Sequence, residues 1–542
     1  MSSQSKSNDC SYRYVTTSIP YVNGAPHIGH ALEYVQADVL ARYARLRGYC
    51  VRLQTGADEN ALKNVQAAQK GGITVEALVA RNAERFRDLA VCLGLALDNF
   101  IRTSVEPAHV TAVHKFWRAS AERGDIYNKA YRGLYCVNCE QFYEEEELQN
   151  GLCPIHETQP DLVEEENYFF RLSRYQDALL QHIDSDALHI VPETRKNEML
   201  SFIRRGLRDF SISRSQARAH GWGIPVPDDP GQVIYVWFDA LINYISGLDY
   251  GASGQRATLF DTFWPSGAPL HVIGKDITRF HAIYWPAMLL SAGVPLPATV
   301  LVHGFLTANG VKISKSKGNV IDPLALAAQY GTEALRYYLL RKIPATADGD
   351  FSEAELRQSY DSELANQLGN LLNRTVRMIE RYHNCIIPAP HQRTPLEAAL
   401  IQTGVQAVSQ VEAELNDFAL HKATAAIWTL VSAANKYLVD AAPWNLAKAS
   451  ADGDALAEER LATSLYTTAE ALRLIAELLR PFLPTTAAAI ARQLGIALAP
   501  QGAWLTALQW GVLAPGSRVQ PAETLFPKGE NNAPRAPRPG EG

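Results

Sequence analysis

Tyr21-Val-Asn-Gly-Ala-Pro-His27-Ile-Gly-His30 is the stretch from which the first half of the chain can be interpreted. Before it, Tyr12 to Ser18 is a short run typical of a β-strand, and after it Ala31 to Leu46 has apolar residues at helical spacing. The stretch therefore predicts two histidines where a strand ends and a helix begins. The free N–H groups of a helix N-terminus suit a phosphate. Gly29 has no Cβ, so a flat ring or a phosphate can approach the backbone there.

The two histidines alone would also fit an incidental turn or a pair of zinc ligands. A second motif changes this interpretation: Lys312-Ile-Ser314-Lys315-Ser316 follows a β-like run at Val300 to His303. Two lysines and two serines on a loop suit a polyphosphate whose charge must be stabilised as it is displaced. Taken alone, this segment would be explained as a solvated basic loop. In this order, the two motifs resemble the paired signatures of class I aminoacyl-tRNA synthetases.

The overall composition is that of a globular protein with more than one domain. At 542 residues the chain should form two to four domains, and 47% hydrophobic with 20% charged residues gives ample core. The net charge of −6 rules out a global basic field, although a local basic face can still bind RNA. We find no membrane-spanning run and no secretory signal in residues 1–9, so we expect a cytoplasmic protein.

The pattern along the chain predicts an α/β catalytic domain, with a Rossmann-type parallel sheet and a zinc-bearing insertion, followed by an all-α helical bundle. We expect a disordered lead-in at 1–11, the two halves of the Rossmann domain at 12–117 and 214–325, and the insertion at 118–213. A linker carrying the stem of the lysine loop should occupy 326–360, the helical bundle 361–527 and a disordered tail 528–542.

Asp58 follows a β-like run at Tyr49 to Gln54 and so should lie at the carboxyl end of a strand, where open α/β sheets bind ligands. A carboxylate there could hold an ammonium group. It could instead cap a helix that begins near Ala61, and the local pattern favours the cap. Continuous apolar runs at Val233 to Phe238 and Leu270 to Gly274 predict further strands of the parallel kind.

The predicted insertion contains Cys136-x₂-Cys139 and, thirteen residues later, Cys153-x₂-His156. Three thiolates and an imidazole complete a tetrahedral set, which indicates a structural rather than a catalytic Zn²⁺. Four unrelated residues are the alternative, which this spacing disfavours. The other cysteines lack such spacing and are predicted to be ordinary thiols: Cys10, Cys50, Cys92 and Cys385.

From about Asp361 to Gly495 nearly every segment has a helical pattern. One predicted helix, Tyr360 to Tyr382, carries a polar stripe that could follow an RNA backbone, formed by Asn370, Arg374, Arg377 and Arg381. A solvated helix face would explain the stripe equally well. Trp444, directly after Pro443, could be a packing residue or a platform on which an unpaired base stacks.

These motifs together resemble the methionyl-tRNA synthetases of the bacterial type, from about Tyr12 to Lys528. The resemblance also rests on Ile212-Ser213-Arg214, Tyr235-Val-Trp-Phe-Asp-Ala240, Gly274-Lys-Asp-Ile-Thr-Arg-Phe-His281 and Ala442-Pro-Trp444. Close relatives for valine, isoleucine and leucine carry a long editing domain. The insertion here has no room for one.

The resemblance implies specific roles for the two signatures. His27 and His30 would stabilise the α-phosphate region of ATP, while Lys315 and Lys312 would hold the phosphates that leave as pyrophosphate. These four residues would be catalytic. The whole ATP site implied in this way comprises His27, Gly29, His30, Lys312, Ser314, Lys315 and Ser316.

The resemblance also implies the methionine and anticodon sites. Asp58 would receive the methionine ammonium group, and Arg214 would support the active site through charge pairing. The rest of the methionine pocket would be Ile19, Tyr21, Trp237, Ala240, Leu241, Tyr244, Phe280 and His281, a cage that suits a polarisable thioether. The anticodon would be read by Asn370, Arg374 and Trp444.

The chain departs from the family pattern at a few positions. Asn60 and Ala61 stand where the family often has His-Gly, so Asp58 is kept but the local loop geometry is expected to differ. Ile313 replaces a methionine in the lysine motif, an apolar replacement of similar size. Leu241 stands where relatives often have proline, so the pocket shape should differ slightly.

The implied reaction joins methionine to ATP, with Mg²⁺ on the phosphates, and transfers it to methionine tRNA, both initiator and elongator. We expect a monomer. Three alternatives stay open: a class I synthetase for leucine or cysteine, a synthetase-like RNA-binding protein without catalysis, and a nucleotidyltransferase of the same superfamily. The last would not explain the long helical half, and the second needs a damaged phosphate site.

Overall fold

The structure is a computed structural model that describes residues 11–137, 140–143, 145–154, 157–252, 257–313 and 319–527. The chain folds into two compact units. The first comprises Met1–Ala37, Cys50–Val91 and Leu95–Phe305, and the second comprises Asp38–Tyr49, Cys92–Gly94 and Leu306–Gly542. Each unit is described separately below.

The first unit contains most of the strands. In chain order they are β1 (Tyr12–Thr17), β2 (Cys50–Ala57), β3 (Asn99–Arg102), β4 (Ile126–Cys136), β5 (Gln141–Tyr143), β6 (Asp161–Phe170), β7 (His189–Val191), β8 (Phe210–Ser211), β9 (Ser213–Ser215), β10 (Pro225–Val226), β11 (Asp229–Ile234), β12 (Leu270–Gly274) and β13 (Thr299–His303).

The helices that begin in the first unit are α1 (Ile28–Leu46), α2 (Leu62–Gly71), α3 (Val75–Cys92), α4 (Pro107–Glu122), α5 (Gln176–Asp184), α6 (Glu193–Arg204), α7 (Val236–Leu241), α8 (Asn243–Ser246), α9 (Ala257–Phe263) and α10 (Trp285–Ala292). A π-helical turn at Phe280–Tyr284 leads directly into α10.

A six-stranded parallel sheet in the order β3-β2-β1-β12-β13-β7 organises this unit. β1 lies inside the sheet, and its residues Tyr14 to Thr17 are all buried, as expected for an interior strand of a parallel sheet. From β1 the chain continues to β2 and β3 on one side and to β12 and β13 on the other, so the strand order reverses between β1 and β12. Ligands bind beyond the carboxyl ends of the strands at such a point.

Two smaller antiparallel sheets complete the first unit: β5-β4-β6-β8 and β10-β11-β9. All four strands of the first lie within the predicted insertion, whereas β7, from the same range, belongs to the parallel sheet. The predicted strand at Val233 to Phe238 is wrong in its second half, because the run divides between the end of β11 and helix α7. Trp237 therefore lies on a short buried helix. β11 pairs with β9 and β10 and is not part of the parallel sheet.

The second unit is mainly helical. Its strands β14 (Leu306–Ala308), β15 (Val311–Lys312) and β16 (Gly349–Phe351) form one small sheet. Its helices are α11 (Pro323–Tyr330), α12 (Thr332–Arg341), α13 (Glu353–Ser359), α14 (Asn370–Tyr382), α15 (Pro395–Asn416), α16 (Leu420–Ala441), α17 (Pro443–Ala451), α18 (Ala455–Leu479), α19 (Pro484–Leu494) and α20 (Trp504–Ala507). A π-helical segment, Tyr360–Gly369, precedes α14 without a break.

A buried ion pair stabilises the second unit internally. Arg336 and Asp38 are both fully buried, and Arg336 Nη2 lies 2.7 Å from Asp38 Oδ2. The other guanidinium nitrogens donate to backbone carbonyls of Leu93 and Phe482. A buried charge that is paired and fully hydrogen-bonded in this way avoids the penalty of an isolated one.

The parallel-sheet unit and the helical unit confirm these two parts of the predicted fold class, while the predicted domain boundaries stay predictions. Cys50, predicted to be an ordinary thiol, is disulfide-bonded. Among the described residues, no helix combines the length and apolarity needed to cross a lipid bilayer.

Candidate active site

The predicted methionine residues and both histidines belong to the first unit, and several follow the carboxyl ends of adjacent strands. Tyr21 and His27 come after β1, Asp58 comes after β2, and Phe280 comes after β12. An isolated bridge pairs Tyr21 with Asp58, and the N–H of Asp58 donates to the carbonyl of Pro20 at 2.9 Å. The parallel sheet thus brings together residues that are far apart in sequence.

The two histidines lie against each other at the start of α1, with ring centroids 3.8 Å apart. The helix begins at Ile28, three residues earlier than predicted, so His30 is in its first turn. The N–H of His27 donates to His30 Nδ1 at 3.0 Å, and the N–H of Gly29 donates to His27 Nδ1 at 3.1 Å. Each Nδ1 is therefore an acceptor, and the proton of each neutral ring must be on Nε2.

Gly29 has a more specific role than the sequence suggested. A Cβ at this position would lie 3.0 Å from Cε1 and 3.1 Å from Nδ1 of His27. The flat ring that approaches the backbone of Gly29 is therefore the imidazole of His27 itself. Any side chain at position 29 would displace this ring and weaken the hydrogen bond that fixes its tautomer.

Asp58 is almost completely buried, with 2% of its surface exposed. Its Oδ1 atom has no hydrogen-bond partner in the part of the chain that the structure describes. Burial raises the pKa of this carboxyl well above its ordinary value, and the nearby carboxylates of Asp239 and Glu140 raise it further, against the opposing effect of Lys63. The site therefore favours an added positive charge.

Asp58 does not cap the following helix, so the interpretation favoured by the local sequence is wrong. Helix α2 begins at Leu62, its N-cap is Ala61, and that end has no side-chain cap. The carboxylate instead lies beside Tyr21, whose hydroxyl is also buried without a hydrogen-bond partner among the described residues. Two adjacent polar groups are thus available to a ligand.

An apolar wall adjoins these polar groups. Trp237 stacks on Phe280 with ring centroids 3.7 Å apart and an angle of 5°, and its ring meets that of Tyr21 edge-on at 6.2 Å. One hydrophobic cluster includes or contacts seven of the predicted pocket residues, namely Ile19, Tyr21, Trp237, Ala240, Leu241, Tyr244 and Phe280.

His281 is buried beside this cluster and is neutral at physiological pH. Its Nδ1 donates to the carbonyl of Ile277 at 3.0 Å, so its Nε2 accepts from the Tyr244 hydroxyl at 2.7 Å. Burial lowers the pKa of His281 to about 4, although the bond to Ile277 acts in the opposite direction. The hydroxyl hydrogen of Tyr244 is thus donated to His281. The Tyr244 oxygen can therefore offer only a lone pair on this side of the wall.

Arg214 is buried in an ion pair that the sequence did not identify. Its Nη2 lies 3.1 Å from Glu140 Oε2 and donates to the Tyr135 hydroxyl at 2.9 Å. The hydroxyls of Tyr135 and Tyr235 donate to the carboxylate and the backbone carbonyl of Glu140, respectively. Glu140 Oε1 also accepts the N–H of Lys63. Glu140 directly follows a predicted metal ligand, but its sequence neighbours gave no sign of this partner 74 residues away.

The predicted zinc ligands are only partly described. Cys136 and Cys153 are buried and share one small cluster with Tyr143, while Cys139 and His156 lie outside the described residues. Among the described residues, no group of three or more potential ligands surrounds a common point.

The second unit carries the remaining predicted residues. Lys312 ends β15, whereas Ser314, Lys315 and Ser316 lie outside the described residues. Asn370 begins α14 and is exposed. One turn later, the guanidinium carbon of Arg374 lies 5.7 Å from the ring centroid of Trp444, which is 40% exposed.

A parallel sheet of this order, with paired histidines after its first strand and an aromatic pocket at the same edge, defines the class I aminoacyl-tRNA synthetases. Residues 13–158 and 143–376 match a family model described as class I tRNA synthetases (M). Residues 387–536 match one described as the anticodon binding domain of methionyl tRNA ligase.

Similar proteins define the family more closely. The chain is 43% identical over 519 residues to the methionine–tRNA ligase of Thermotoga maritima, covering 95% of this chain and 80% of that one. It is 42% identical over 534 residues to that of Mycobacterium tuberculosis, covering 98% and 99%. A solved M. tuberculosis methionyl-tRNA synthetase in complex with methionyl-adenylate has a TM-score of 0.90 and 41% identity, covering 96% of this chain and 100% of that one. The chain belongs to the methionyl-tRNA synthetase family and is accordingly an enzyme, a methionine–tRNA ligase.

Proposed function

We propose that the carboxyl edge of the parallel sheet activates methionine, with the ammonium group against Asp58 and the thioether among the aromatic rings. The observation that carries this proposal is the pair of buried groups, Asp58 Oδ1 and the Tyr21 hydroxyl, without hydrogen-bond partners among the described residues. A zwitterion with an apolar side chain would supply an ammonium to the first and apolar surface to the adjoining rings.

The apolar wall supports selection of a thioether. Trp237, Phe280 and Tyr21 offer ring faces and edges, which interact favourably with a polarisable sulfur. His281 is neutral and Tyr244 donates its proton to it, so no charged group of that pair would oppose burial of an apolar side chain. We assign Ile19, Ala240 and Leu241 to the remaining surface of this pocket.

We assign the histidine pair to the α-phosphate of ATP. Because both Nδ1 atoms accept backbone N–H groups, His27 and His30 would donate from Nε2 to oxygens whose charge grows in the transition state. Lys312 and Lys315, with Ser314 and Ser316, would hold the departing β- and γ-phosphates. This second assignment rests on the family motif alone.

The chemistry needs no protein nucleophile. A carboxylate oxygen of methionine attacks the α-phosphorus in line, and the bond to the bridging oxygen of the β-phosphate breaks, giving methionyl-adenylate and pyrophosphate. A terminal ribose hydroxyl of the tRNA then attacks the adenylate carbonyl and releases AMP. Mg²⁺, held by the ATP phosphates, would neutralise part of the charge. The chain's own residues orient the two reactants and bind the developing charge.

Replacing Gly29 with alanine should slow adenylate formation by about tenfold, because a Cβ at 3.0 Å displaces the His27 ring. The measurement is the rate of methionine-dependent ATP–pyrophosphate exchange at saturating substrates. Gly71→Ala is the control, since a Cβ there finds its nearest neighbour at 3.8 Å. Equal rates in the two variants would contradict this role of Gly29.

We propose that Cys136, Cys139, Cys153 and His156 hold a structural Zn²⁺. The two described cysteines are buried in one cluster, which fits soft donors collected at one point. The ion would fix the fold of the insertion and would take no part in the reaction.

We propose that Asn370, Arg374 and Trp444 read the anticodon. A half-exposed indole beside a guanidinium suits an unpaired base, which can stack on the ring while the cation meets phosphate or base edges. We expect a monomer that charges both initiator and elongator methionine tRNA. The cytoplasmic location stays a prediction.

Trp444→Ala should raise the KM for tRNA in aminoacylation by roughly tenfold, because stacking of one base contributes about 1–3 kcal/mol. Methionine-dependent ATP–pyrophosphate exchange should keep its rate. Leu456→Ala, which removes an apolar side chain that is 62% exposed in the same unit, is the control and should change neither reaction. If Trp444→Ala impaired both reactions equally, the cause would be misfolding.

The proposed function is tested by ATP–pyrophosphate exchange without tRNA, with each of the twenty amino acids supplied separately. Exchange with methionine alone is expected. Exchange with leucine or cysteine would reject the pocket assignment. A folded, zinc-loaded protein that exchanges with none would be an RNA-binding relative without catalysis.

A further inference from the structure

A second buried carboxylate, Asp239, lies in the first turn of α7, between Trp237 and the pocket residues Ala240 and Leu241. Both of its oxygens are hydrogen-bonded. Oδ1 lies 2.6 Å from His109 Nε2, and Oδ2 accepts the side-chain amide of Asn60 at 2.7 Å. These contacts make Asp239 part of a defined network and not an incidental buried acid.

Asn60 connects this network to the proposed ammonium site. It lies two residues after Asp58, so its bond to Asp239 joins the segment that follows β2 to the helix that carries Trp237. On the other side, His109 of α4 contacts the Ser246 hydroxyl of α8 at 2.7 Å. Helices α4, α7 and α8 are thereby fixed around one carboxylate.

The network also acts electrostatically. After burial itself, Asp239 is the largest influence that raises the pKa of Asp58. The negative charge of Asp239 therefore interacts electrostatically with the Asp58 carboxylate. A cation beside Asp58 would therefore be attracted by both carboxylates, although Asp239 is already occupied by its own donors.

We propose that Asp239, held by Asn60 and His109, is a positioning residue that increases selectivity for the ammonium group of the amino-acid substrate. The inference rests on the proposed function, in which Asp58 receives that group. Asn60 fixes the distance between the ammonium site and the apolar wall. Asp239 adds negative electrostatic potential at the ammonium site.

The variant Asp239→Asn tests the effect of the negative charge of Asp239 separately from the effect of its position. The replacement has the same shape, it can still accept from His109, and the Asn60 amide can rotate to accept from its new amide group. At a pH at which Asp58 is ionised in the empty site, we expect the dissociation constant of methionine to rise by about tenfold, because a carboxylate that attracts the ammonium group has been neutralised. The dissociation constant of 4-(methylthio)butanoate, which lacks the amino group, should not change. Asp125→Asn, at another buried and multiply hydrogen-bonded aspartate of this unit, is the matched control.

Equal weakening of both ligands, or no weakening of either, would overturn the inference, because a merely structural role does not distinguish them. Asn60→Ala gives a second test if Asp239→Asn fails to fold: the KM for methionine should rise, and the KM for ATP should not change. Asp58→Asn distinguishes the two levels of the argument. If it weakens methionine binding and Asp239→Asn does not, the proposed function stands and this inference fails. If Asp58→Asn has no effect, the proposed ammonium site itself fails.

Discussion

Asp58→Asn should lower kcat/KM for methionine in ATP–pyrophosphate exchange by about 30-fold to several thousand-fold, since removing one partner of a buried charge pair costs about 2–5 kcal/mol. Asp58 is buried at the carboxyl end of β2, and its Oδ1 has no other hydrogen-bond partner among the described residues. The asparagine keeps the shape but offers no negative charge to the ammonium group. The KM for ATP should be nearly unchanged, because His27 and His30 do not depend on this carboxylate.

The pH dependence of methionine binding checks the same assignment. Burial, Asp239 and Glu140 raise the pKa of Asp58 in the empty site, against Lys63, and a bound ammonium group would lower it. Between these two pKa values, binding of methionine should release a proton, and the affinity should rise with pH until Asp58 is ionised in the empty site. Calorimetric titration in buffers of different ionisation enthalpy measures this release. Asp58→Asn should abolish it; a variant that released as many protons as the wild type would exclude Asp58 as their source.

Local sequence patterns predicted the elements whose signal is contained within one segment. The buried run of β1 and the helical spacing of α1 gave the strand-to-helix junction, and the structure shifts the helix start by one turn only. The run at Val233 to Phe238 was misassigned because an apolar segment of this length fits a buried helix as well as a strand. The tertiary packing around this segment determines whether it forms a helix or a strand.

The partners of the site residues could not be predicted, because they come from distant parts of the chain. Asn60 was recognised as a departure from the family pattern, but its bond to Asp239 spans 179 residues. Asp58 was assigned to a helix cap by its neighbours and to an ammonium site only by the resemblance. Gly29 was expected to admit a flat ring, and only the structure identifies that ring as His27. Residue types thus indicated chemistry, while tertiary packing determined which groups are paired.

Glu140→Gln should reduce the free energy of unfolding by about 3–5 kcal/mol, because it leaves the buried guanidinium of Arg214 without its counter-charge. Glu140 also accepts the Tyr135 hydroxyl on one oxygen and the N–H of Lys63 on the other. Because glutamine has only one acceptor oxygen, the replacement should loosen the segment that follows Asp58. Methionine-dependent exchange should therefore fall even at temperatures where the variant is folded. Chemical denaturation and exchange kinetics on the same preparation measure the two effects.

A double variant distinguishes stability from function. Glu140→Gln with Arg214→Met removes both charges, and replacing a buried ion pair with apolar packing restores much of the lost stability in other proteins. Here stability should recover while methionine-dependent exchange stays low, because we propose that Arg214 supports the site as well as the fold. Glu165→Gln is the matched control, since its partner Arg218 is 3.3 Å away and both side chains are partly exposed. It should cost at most about 1 kcal/mol. Recovery of exchange together with stability in the double variant would show that this pair serves the fold alone.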